Sequence, residues 1–170
     1  MRFDLQTLFL SALAVTTVSS TPIDEPTMVE RCATTCSQYC SPRPATLEQQ
    51  REIFAKFVAT AIGQRDFYRA YKTFAADDVI QHNPAIMSGL QNTLDFFNSQ
   101  PNLASTKYTI INTNFGDNHI GYFHYRVDIA PDEEPFAVVD FYRFNGTCIQ
   151  EHWDVVQQYD VNSPNPLALF

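Results

Sequence analysis

Positive charge is scarce in this sequence. Its 170 residues include 11 Lys and Arg against 19 Asp and Glu, which gives a net charge of −8 at pH 7. The basic residues are scattered, whereas a nucleic-acid-binding protein needs Lys and Arg clustered along a line of phosphates. We therefore expect no nucleic-acid partner.

Several motifs of common enzyme classes are also absent. The sequence has only five glycines and contains no Gly-x-Ser-x-Gly elbow, no glycine-rich phosphate loop and no His-Glu-x-x-His. These absences argue against a serine hydrolase, a kinase and a zinc protease. After the N-terminal segment there is no apolar run near the roughly 20 residues that a membrane-spanning helix needs.

The N-terminal segment has the pattern of a secretory signal peptide. An apolar run from Leu5 to Val18 follows Arg2, and the small residues Ser19 and Ser20 then offer a cleavage point. An N-terminal membrane anchor is the alternative, but the run is short and interrupted by Thr and Ser. We predict a signal peptide over residues 1–20, a secreted, extracellular protein, and no membrane contact after cleavage.

The four cysteines fit an exported protein. Cys32, Cys36 and Cys40 lie in a proline-rich leader that we assign to residues 21–45, and Cys148 lies far downstream. Exported cysteines usually form disulfides, and four cysteines allow three pairings. We predict one bridge from the leader to Cys148 and one within the leader. The spacing lacks the short Cys pairs of zinc sites, so we expect no metal.

The remaining chain predicts an α+β domain over residues 46–160, followed by a flexible tail, 161–170. Thr46 and Gln49 form a capping-box pattern before a helix that ends at Gly63, and further helices are expected over 66–74 and 88–98. An extended piece covers 78–84. Alternating or β-branched segments predict strands over 106–114, 119–129, 136–144 and 147–157. We expect the helices to pack on one face of a curved antiparallel sheet.

The last two strands are joined at Asn145-Gly146, a strong hairpin signal. A two-residue loop would place Asp140 opposite Glu151. Directly opposed residues share a face, so this register predicts one face that carries Val138, Asp140, Tyr142, Ile149, Glu151 and Trp153. A bulge near the turn would swap the faces and bring His152 and Asp154 inside.

Asn145-Gly146-Thr147 is also an N-glycosylation sequon. A glycan on the tip of a hairpin is sterically reasonable. The Asn-Gly pair also suits a tight turn without any modification, and the sequence leaves both interpretations open.

Three segments together resemble SnoaL-like proteins of the nuclear-transport-factor-2-like (NTF2-like) superfamily. They are 80–84 (IQHNP), 136–144 (FAVVDFYRF) and 149–155 (IQEHWDV), and the resemblance extends over about Leu47 to Gln157. It implies a cone in which a curved sheet wraps about three N-terminal helices around one pocket. The high aromatic content, 14% of residues, suits such a pocket.

The founding members of that family are polyketide cyclases that close rings by aldol condensation without a metal or cofactor. The resemblance implies Asp140 as the acid–base residue and a histidine nearby, for which His82 and His124 compete. Trp153, Tyr142 and Glu151 would contact the ligand, with His152 and Asp154 as candidates in the swapped register. The short loop 131–135 departs from the longer cyclase connection.

Two functions fit these observations. One is a cofactor-free lyase or isomerase in which Asp140 removes a proton next to a carbonyl and His82 or His124 donates to the enolate oxygen. The other is an extracellular protein that binds a small hydrophobic or aromatic molecule without turnover. We also predict a homodimer, because the second sheet face carries Val139 and Phe141 beside Arg143.

Overall fold

The computed structural model describes residues 39–103 and 105–170. The predicted signal peptide and most of the leader, including Cys32 and Cys36, lie outside these residues. The following description concerns the described ranges.

Three helices carry the apolar residues that cover the sheet. They are α1 (Leu47–Val58), α2 (Phe67–Phe74) and α3 (Leu90–Ser99), and α1 continues into a π-helical turn, Ala59–Gly63. The predicted capping box is present, because Thr46 and Gln49 each bond the backbone N–H of the other. Asp66 caps α2 by accepting from the Arg69 N–H at 2.8 Å.

Five strands form one curved sheet in the order β1-β5-β4-β3-β2. They are β1 (Ala75–Gln81), β2 (Lys107–Phe115), β3 (Ile120–Asp128), β4 (Phe136–Asn145) and β5 (Cys148–Gln158). The predicted α+β architecture is confirmed, with one correction. The sheet is mixed, because β1 follows α2 directly and enters the sheet parallel to β5.

The core between helices and sheet is built largely from aromatic rings. Phe57, Tyr71, Phe123 and Tyr142 are each at most 1% exposed. Their contacts are edge-to-face or offset, as between Phe57 and Tyr142, whose ring centroids lie 4.7 Å apart.

One close approach between helix and sheet depends on a glycine. A Cβ at position 121 on β3 would lie 2.8 Å from the Phe54 ring of α1. Gly121 therefore lets α1 pack directly on the sheet.

The hairpin register differs from the predicted one in two steps. The loop is Gly146-Thr147, with Asn145 opposite Cys148, which moves the register by two residues and keeps the faces. A bulge at Gln150 then adds one residue, and this odd shift swaps the faces of β5. Asp140 consequently lies opposite Asp154, so the predicted pairing with Glu151 is wrong and the bulged alternative holds.

A disulfide joins Cys40 to Cys148 across 108 residues, as predicted for the leader and the last strand. The backbone beside it is also tied to the hairpin, because the Thr147 N–H donates to the Arg43 carbonyl at 3.0 Å. The second predicted bridge lies outside the described residues. Within the described ranges, no helix has the length and apolar character needed to cross a membrane.

Candidate functional site

A cavity of about 180 Å³ lies between the helices and the inner face of the sheet. Most of its wall is aromatic or aliphatic. The aromatic lining comes from Phe67, Tyr71, Phe96, Phe97, Tyr108, Tyr125 and Tyr142. At one end the wall becomes polar, where Asn83, Asp140, His152 and Asp154 meet.

Asp140 is a buried carboxylate held by two tyrosines. Its side chain lies on the inner face of β4, and Oδ2 accepts hydrogen bonds from the hydroxyls of Tyr125 at 3.0 Å and Tyr142 at 3.2 Å. Burial, followed by the charge of Asp140, raises the pKa of both tyrosines well above the ordinary value. Both hydroxyls therefore keep their protons and donate to the carboxylate.

His152 is oriented by a chain of hydrogen bonds that runs to helix α3. Thr93 Oγ1 donates to the Gly89 carbonyl at 3.1 Å and accepts from Gln81 Nε2 at 2.9 Å. The Gln81 amide is thereby fixed with its oxygen toward His152, and Oε1 lies 2.7 Å from Nδ1. An amide oxygen is only an acceptor, so Nδ1 of His152 carries a proton.

The other ring nitrogen of His152 faces the carboxylate. Nε2 is buried and forms no hydrogen bond with any described residue, and it lies 3.5 Å from Oδ1 of Asp140. With Nδ1 already protonated, a neutral His152 would present a lone pair to a carboxylate oxygen. A proton or a cation placed between these two atoms would remove that repulsion.

Asp154 completes the polar end of the cavity. It lies opposite Asp140 in the sheet and is half-buried, and Asn83 Nδ2 donates a short hydrogen bond to its Oδ2. Asn83 is fixed in turn, because its Oδ1 accepts from the Ala85 N–H at 2.7 Å. The residue before Pro84 thus reaches the inner site.

A second polar cluster lies on the outer face of the sheet, and it contains residues that the sequence placed in the pocket. The rings of His82 and Trp153 stack with centroids 4.9 Å apart and planes 6° from parallel. His82 Nε2 lies 2.8 Å from Glu151 Oε1, and Arg143 Nε donates to Oε2 at 2.6 Å. The prediction that Trp153 and Glu151 share a pocket with Asp140 is wrong, because the bulge turns both outward.

The predicted histidine partners of Asp140 are not beside it. His82 belongs to the outer cluster. His124 on β3 alternates with the buried residues Phe123 and Tyr125, so its side chain faces outward. The histidine that meets Asp140 is His152, which the sequence considered only for the swapped register. Tyr142 does line the cavity, and Asn145 is exposed at the end of the hairpin.

Two important residues escaped the sequence analysis. Gln81 orients His152, and Tyr125 donates to Asp140. Alternation along the extended segment puts Gln81 and His82 on opposite faces, so Gln81 could be assigned to the inner face only once His82 was known to face outward.

A larger groove of about 480 Å³ lies between α1, the π-helical turn and β2. Its lining is almost wholly apolar, and Arg51 is the only ionisable residue among the described residues that line it. We assign the candidate site to the smaller cavity, because of these two cavities the smaller is the one in which described residues bring a carboxylate and a histidine together.

No protein-family model matches the chain, and no curated protein sequence matches it significantly. Solved structures do match its fold. One belongs to a protein named as a candidate ketosteroid isomerase from Kribbella flavida DSM 17836, at a TM-score of 0.56 and 17% identity, over 72% of this chain and 88% of that chain.

Two further structures agree with the first. An NTF2-like protein of unknown function from Burkholderia xenovorans LB400 gives a TM-score of 0.55 at 15% identity, over 69% of this chain and 89% of that one. A candidate SnoaL-like polyketide cyclase from Jannaschia sp. CCS1 gives 0.53 at 11% identity, over 65% and 86%. The chain has the NTF2-like fold. The resemblance inferred from three short segments is thereby confirmed, and at these identities it concerns the fold.

In this NTF2-like cone the polar end of the cavity is formed by strands β4 and β5 and the segment after β1. Strand pairing sets the positions of Asp140, His152 and Asp154, and hydrogen bonds outside this trio fix their orientations. Such preorganisation is typical of a site that acts on a bound molecule.

Proposed function

We propose that the protein is a secreted, cofactor-independent lyase or isomerase that acts on a cyclic carbonyl compound, such as a polyketide-like ring system, by acid–base chemistry. The observation that carries this proposal is the buried pair of His152 Nε2 and Asp140 Oδ1, 3.5 Å apart in an aromatic cavity. Structures with the same fold include proteins named for ketosteroid isomerisation and polyketide cyclisation.

The pair can move protons in both directions. Asp140 Oδ1 would take a proton from the carbon next to a substrate carbonyl, while Nε2–H of His152 donates to the carbonyl oxygen, so that an enol forms without net charge. With an unsaturated ketone, the dienol can then take the Asp140 proton at its γ-carbon. Alternatively, the enol α-carbon attacks a second carbonyl of the same molecule, and the Asp140 proton passes to the new hydroxyl. In both cases the first carbonyl re-forms as its O–H proton returns to Nε2 of His152, so the pair regains its starting state.

The cavity limits the substrate to a small, flat, mostly apolar molecule. Its volume of about 180 Å³ suits one or two rings, and its tyrosine and phenylalanine walls suit aromatic faces. The cavity lining includes no Lys or Arg among the described residues, so a strongly anionic substrate is disfavoured.

Hydrogen–deuterium exchange tests this proposal without knowledge of the natural substrate. We expect the protein to accelerate exchange of the α-protons of a bicyclic ketone, 2-tetralone, in D₂O, as followed by proton NMR. Acid–base catalysis contributes about 10²–10⁴-fold, so Asp140→Asn and His152→Gln should each remove most of the acceleration. Glu151→Gln, on the outer face, is the matched control. Exchange at the buffer rate with wild-type protein, over a panel of such ketones that bind, would refute the proposal.

A non-catalytic binder of small hydrophobic molecules is the second candidate, and one observation favours it. Both tyrosine hydroxyls nearest to Asp140 donate to its carboxylate, so neither is free to donate to an enolate oxygen. For a binder, we expect ligands to bind without exchange. Asp140→Asn would then change the affinity modestly, since a neutral hydrogen bond contributes about 0.5–1.5 kcal/mol.

We also propose that the protein is secreted, that Asn145 is glycosylated and that the chain forms a homodimer. The Cys40–Cys148 disulfide supports an extracellular location. Phe141 and Trp153 are only half-buried on the outer face, and a second copy of the chain would cover them. Light scattering at micromolar concentration should give the mass of a dimer, and a monomer mass would contradict that part.

A further inference from the structure

We propose that Asp140, His152 and Asp154 form a binding site for one divalent transition-metal ion of the zinc type. Each residue offers one ligand atom to a common point at the polar end of the cavity, and these atoms lie within 4.8 Å of one another. Zinc binding at these atoms is expected whether or not the cavity turns over a substrate.

The distance between the two buried ligand atoms fits a shared ion. Nε2 of His152 and Oδ1 of Asp140 are 3.5 Å apart, which is long for a hydrogen bond. Two ligands of a tetrahedral zinc ion, each about 2.0–2.1 Å from the metal, are separated by about 3.4 Å. The pair is therefore already spaced as two ligands of one ion.

His152 supplies an observation that does not depend on the acidic residues. It is 4% exposed, its Nδ1 is bound to Gln81, and its buried Nε2 has no hydrogen-bond partner among the described residues. Buried polar atoms without partners are rare, and an absent ion is one explanation for them. The unpaired nitrogen points at the carboxylate that would be the second ligand.

Each of the three residues has a further polar atom that is held by a neighbouring side chain. His152 Nδ1 bonds to Gln81, Oδ2 of Asp140 accepts from Tyr125 and Tyr142, and Oδ2 of Asp154 accepts from Asn83. Metal-binding histidines and carboxylates characteristically have such outer partners, which fix the ligand orientation.

The charges favour a divalent ion over a single proton. Asp140 and Asp154 are direct neighbours in the sheet, and no Lys or Arg is among the described residues that line the cavity. One imidazole with two carboxylates suits zinc, cobalt or manganese, whereas calcium and magnesium prefer oxygen ligands alone. Three protein ligands leave a position open toward the cavity.

A bound ion would occupy the point between Nε2 of His152 and Oδ1 of Asp140. If the proposed function holds, zinc would therefore inhibit the proton transfer. Only this inhibition rests on the proposed function, and zinc binding itself does not. The exchange assay in the presence of a chelator and the binding assay below separate the two proposals.

Calorimetric titration of the untagged full-length protein with zinc chloride tests the site. The protein is first treated with a chelator and then kept free of reductant, so that its disulfides stay oxidised. We expect one ion per chain with a dissociation constant in the micromolar range or below. Asp154→Asn and His152→Gln should each weaken binding at least tenfold. The matched control is the outer pair, His82→Gln with Glu151→Gln, which should leave this affinity unchanged.

Cobalt provides a second measurement, because its visible absorption reports the coordination number in the folded protein. Asp154→Asn is the main test, because Asp154 is only half-buried. Near-ultraviolet circular dichroism checks the fold of this variant. If His152→Gln does not fold, NMR of the wild-type protein takes its place. Zinc should then shift the resonances of the His152 ring nitrogens. Binding weaker than millimolar, or binding that the Asp154 variant leaves unchanged, would overturn the proposal.

Discussion

His152 lies on β5 and His82 directly follows the neighbouring strand β1, but the two side chains lie on opposite faces of the sheet in opposite surroundings. The outer histidine has a side chain that is 43% exposed, a ring stacked on Trp153 and a nitrogen bonded to Glu151. The inner histidine is buried, and its Nε2 faces Asp140 with no hydrogen bond. Nε2 of the outer histidine is already paired with Glu151, whereas Nε2 of the inner histidine is available to a substrate or an ion.

The difference between the two histidines is tested most directly by replacing each of them by glutamine in turn. His152→Gln should lower the ketone exchange rate by about 10²–10⁴-fold, because it removes the acid that faces the carboxylate. His82→Gln should leave the rate within about twofold, since its partners Glu151 and Trp153 lie on the other face. The measurement is proton NMR of α-deuteration under equal protein concentrations.

Equal losses in both variants would show that the outer cluster acts on the site. Thermal unfolding of each variant serves as the control for stability. A His82 effect larger than the His152 effect would restore His82 as a candidate partner of Asp140.

High pH should destabilise the inner face through its tyrosines. Burial, followed by the charge of Asp140, raises the pKa of Tyr71, and of Tyr125 and Tyr142, above the ordinary value of 10. These groups ionise in the unfolded chain near pH 10 but stay neutral in the fold, so stability is present below pH 10 and is lost as pH rises. Three such groups should lower the free energy of unfolding by about 4 kcal/mol in total between pH 9 and 11.

Urea unfolding between pH 9 and 11 measures this loss of stability. Tyr125→Phe should reduce the loss of stability over this range by the share of one group, about 1.4 kcal/mol in total. A loss that is the same in wild type and variant would mean that Tyr125 ionises in the folded state.

Much of this fold could be predicted from the sequence, because its signals are local. The capping box at Thr46 and Gln49 and the aromatic alternation of β3 and β4 depend on residues near each other in the chain. The leader-to-Cys148 bridge was also predicted, from the export pattern of the cysteines.

The site was only partly predictable, because it depends on register. The inner face of β4, with Asp140 and Tyr142, was assigned correctly. Which residues of β5 face inward depends on a bulge at Gln150, and no local sequence motif marks this bulge. The bridge from Gln81 to His152 spans 71 residues and requires β1 to pair in parallel with β5, which the helix-then-meander pattern did not suggest.

Two tyrosine-to-phenylalanine variants compare the contribution of one hydroxyl on each face of the sheet. Tyr142→Phe removes a hydrogen bond to the buried Asp140 carboxylate, and bonds to charged groups contribute about 1.5–3 kcal/mol. Tyr122→Phe is the matched control, because this hydroxyl on the outer side of β3 has no hydrogen bond to a described residue. Its effect should stay within about 0.5 kcal/mol. Chemical denaturation at pH 7 measures both, and equal effects would mean that Asp140 gains nothing from Tyr142.

The smallest expected effect concerns the outer face at low pH. Burial raises the pKa of Glu151, but hydrogen bonds from His82 and Arg143 and their charges outweigh it, and the pKa lies below its usual value. A depressed carboxyl pKa stabilises the fold above the unfolded value of about 4.3, and this contribution is lost as pH falls through the folded pKa. Wild type should therefore be more stable than Glu151→Gln at pH 6, by less than about 1 kcal/mol for a partly exposed cluster. The difference should vanish near pH 3 in urea unfolding. A difference that grows toward pH 3 would mean that the His82–Glu151–Arg143 contacts do not stabilise the ionised carboxylate.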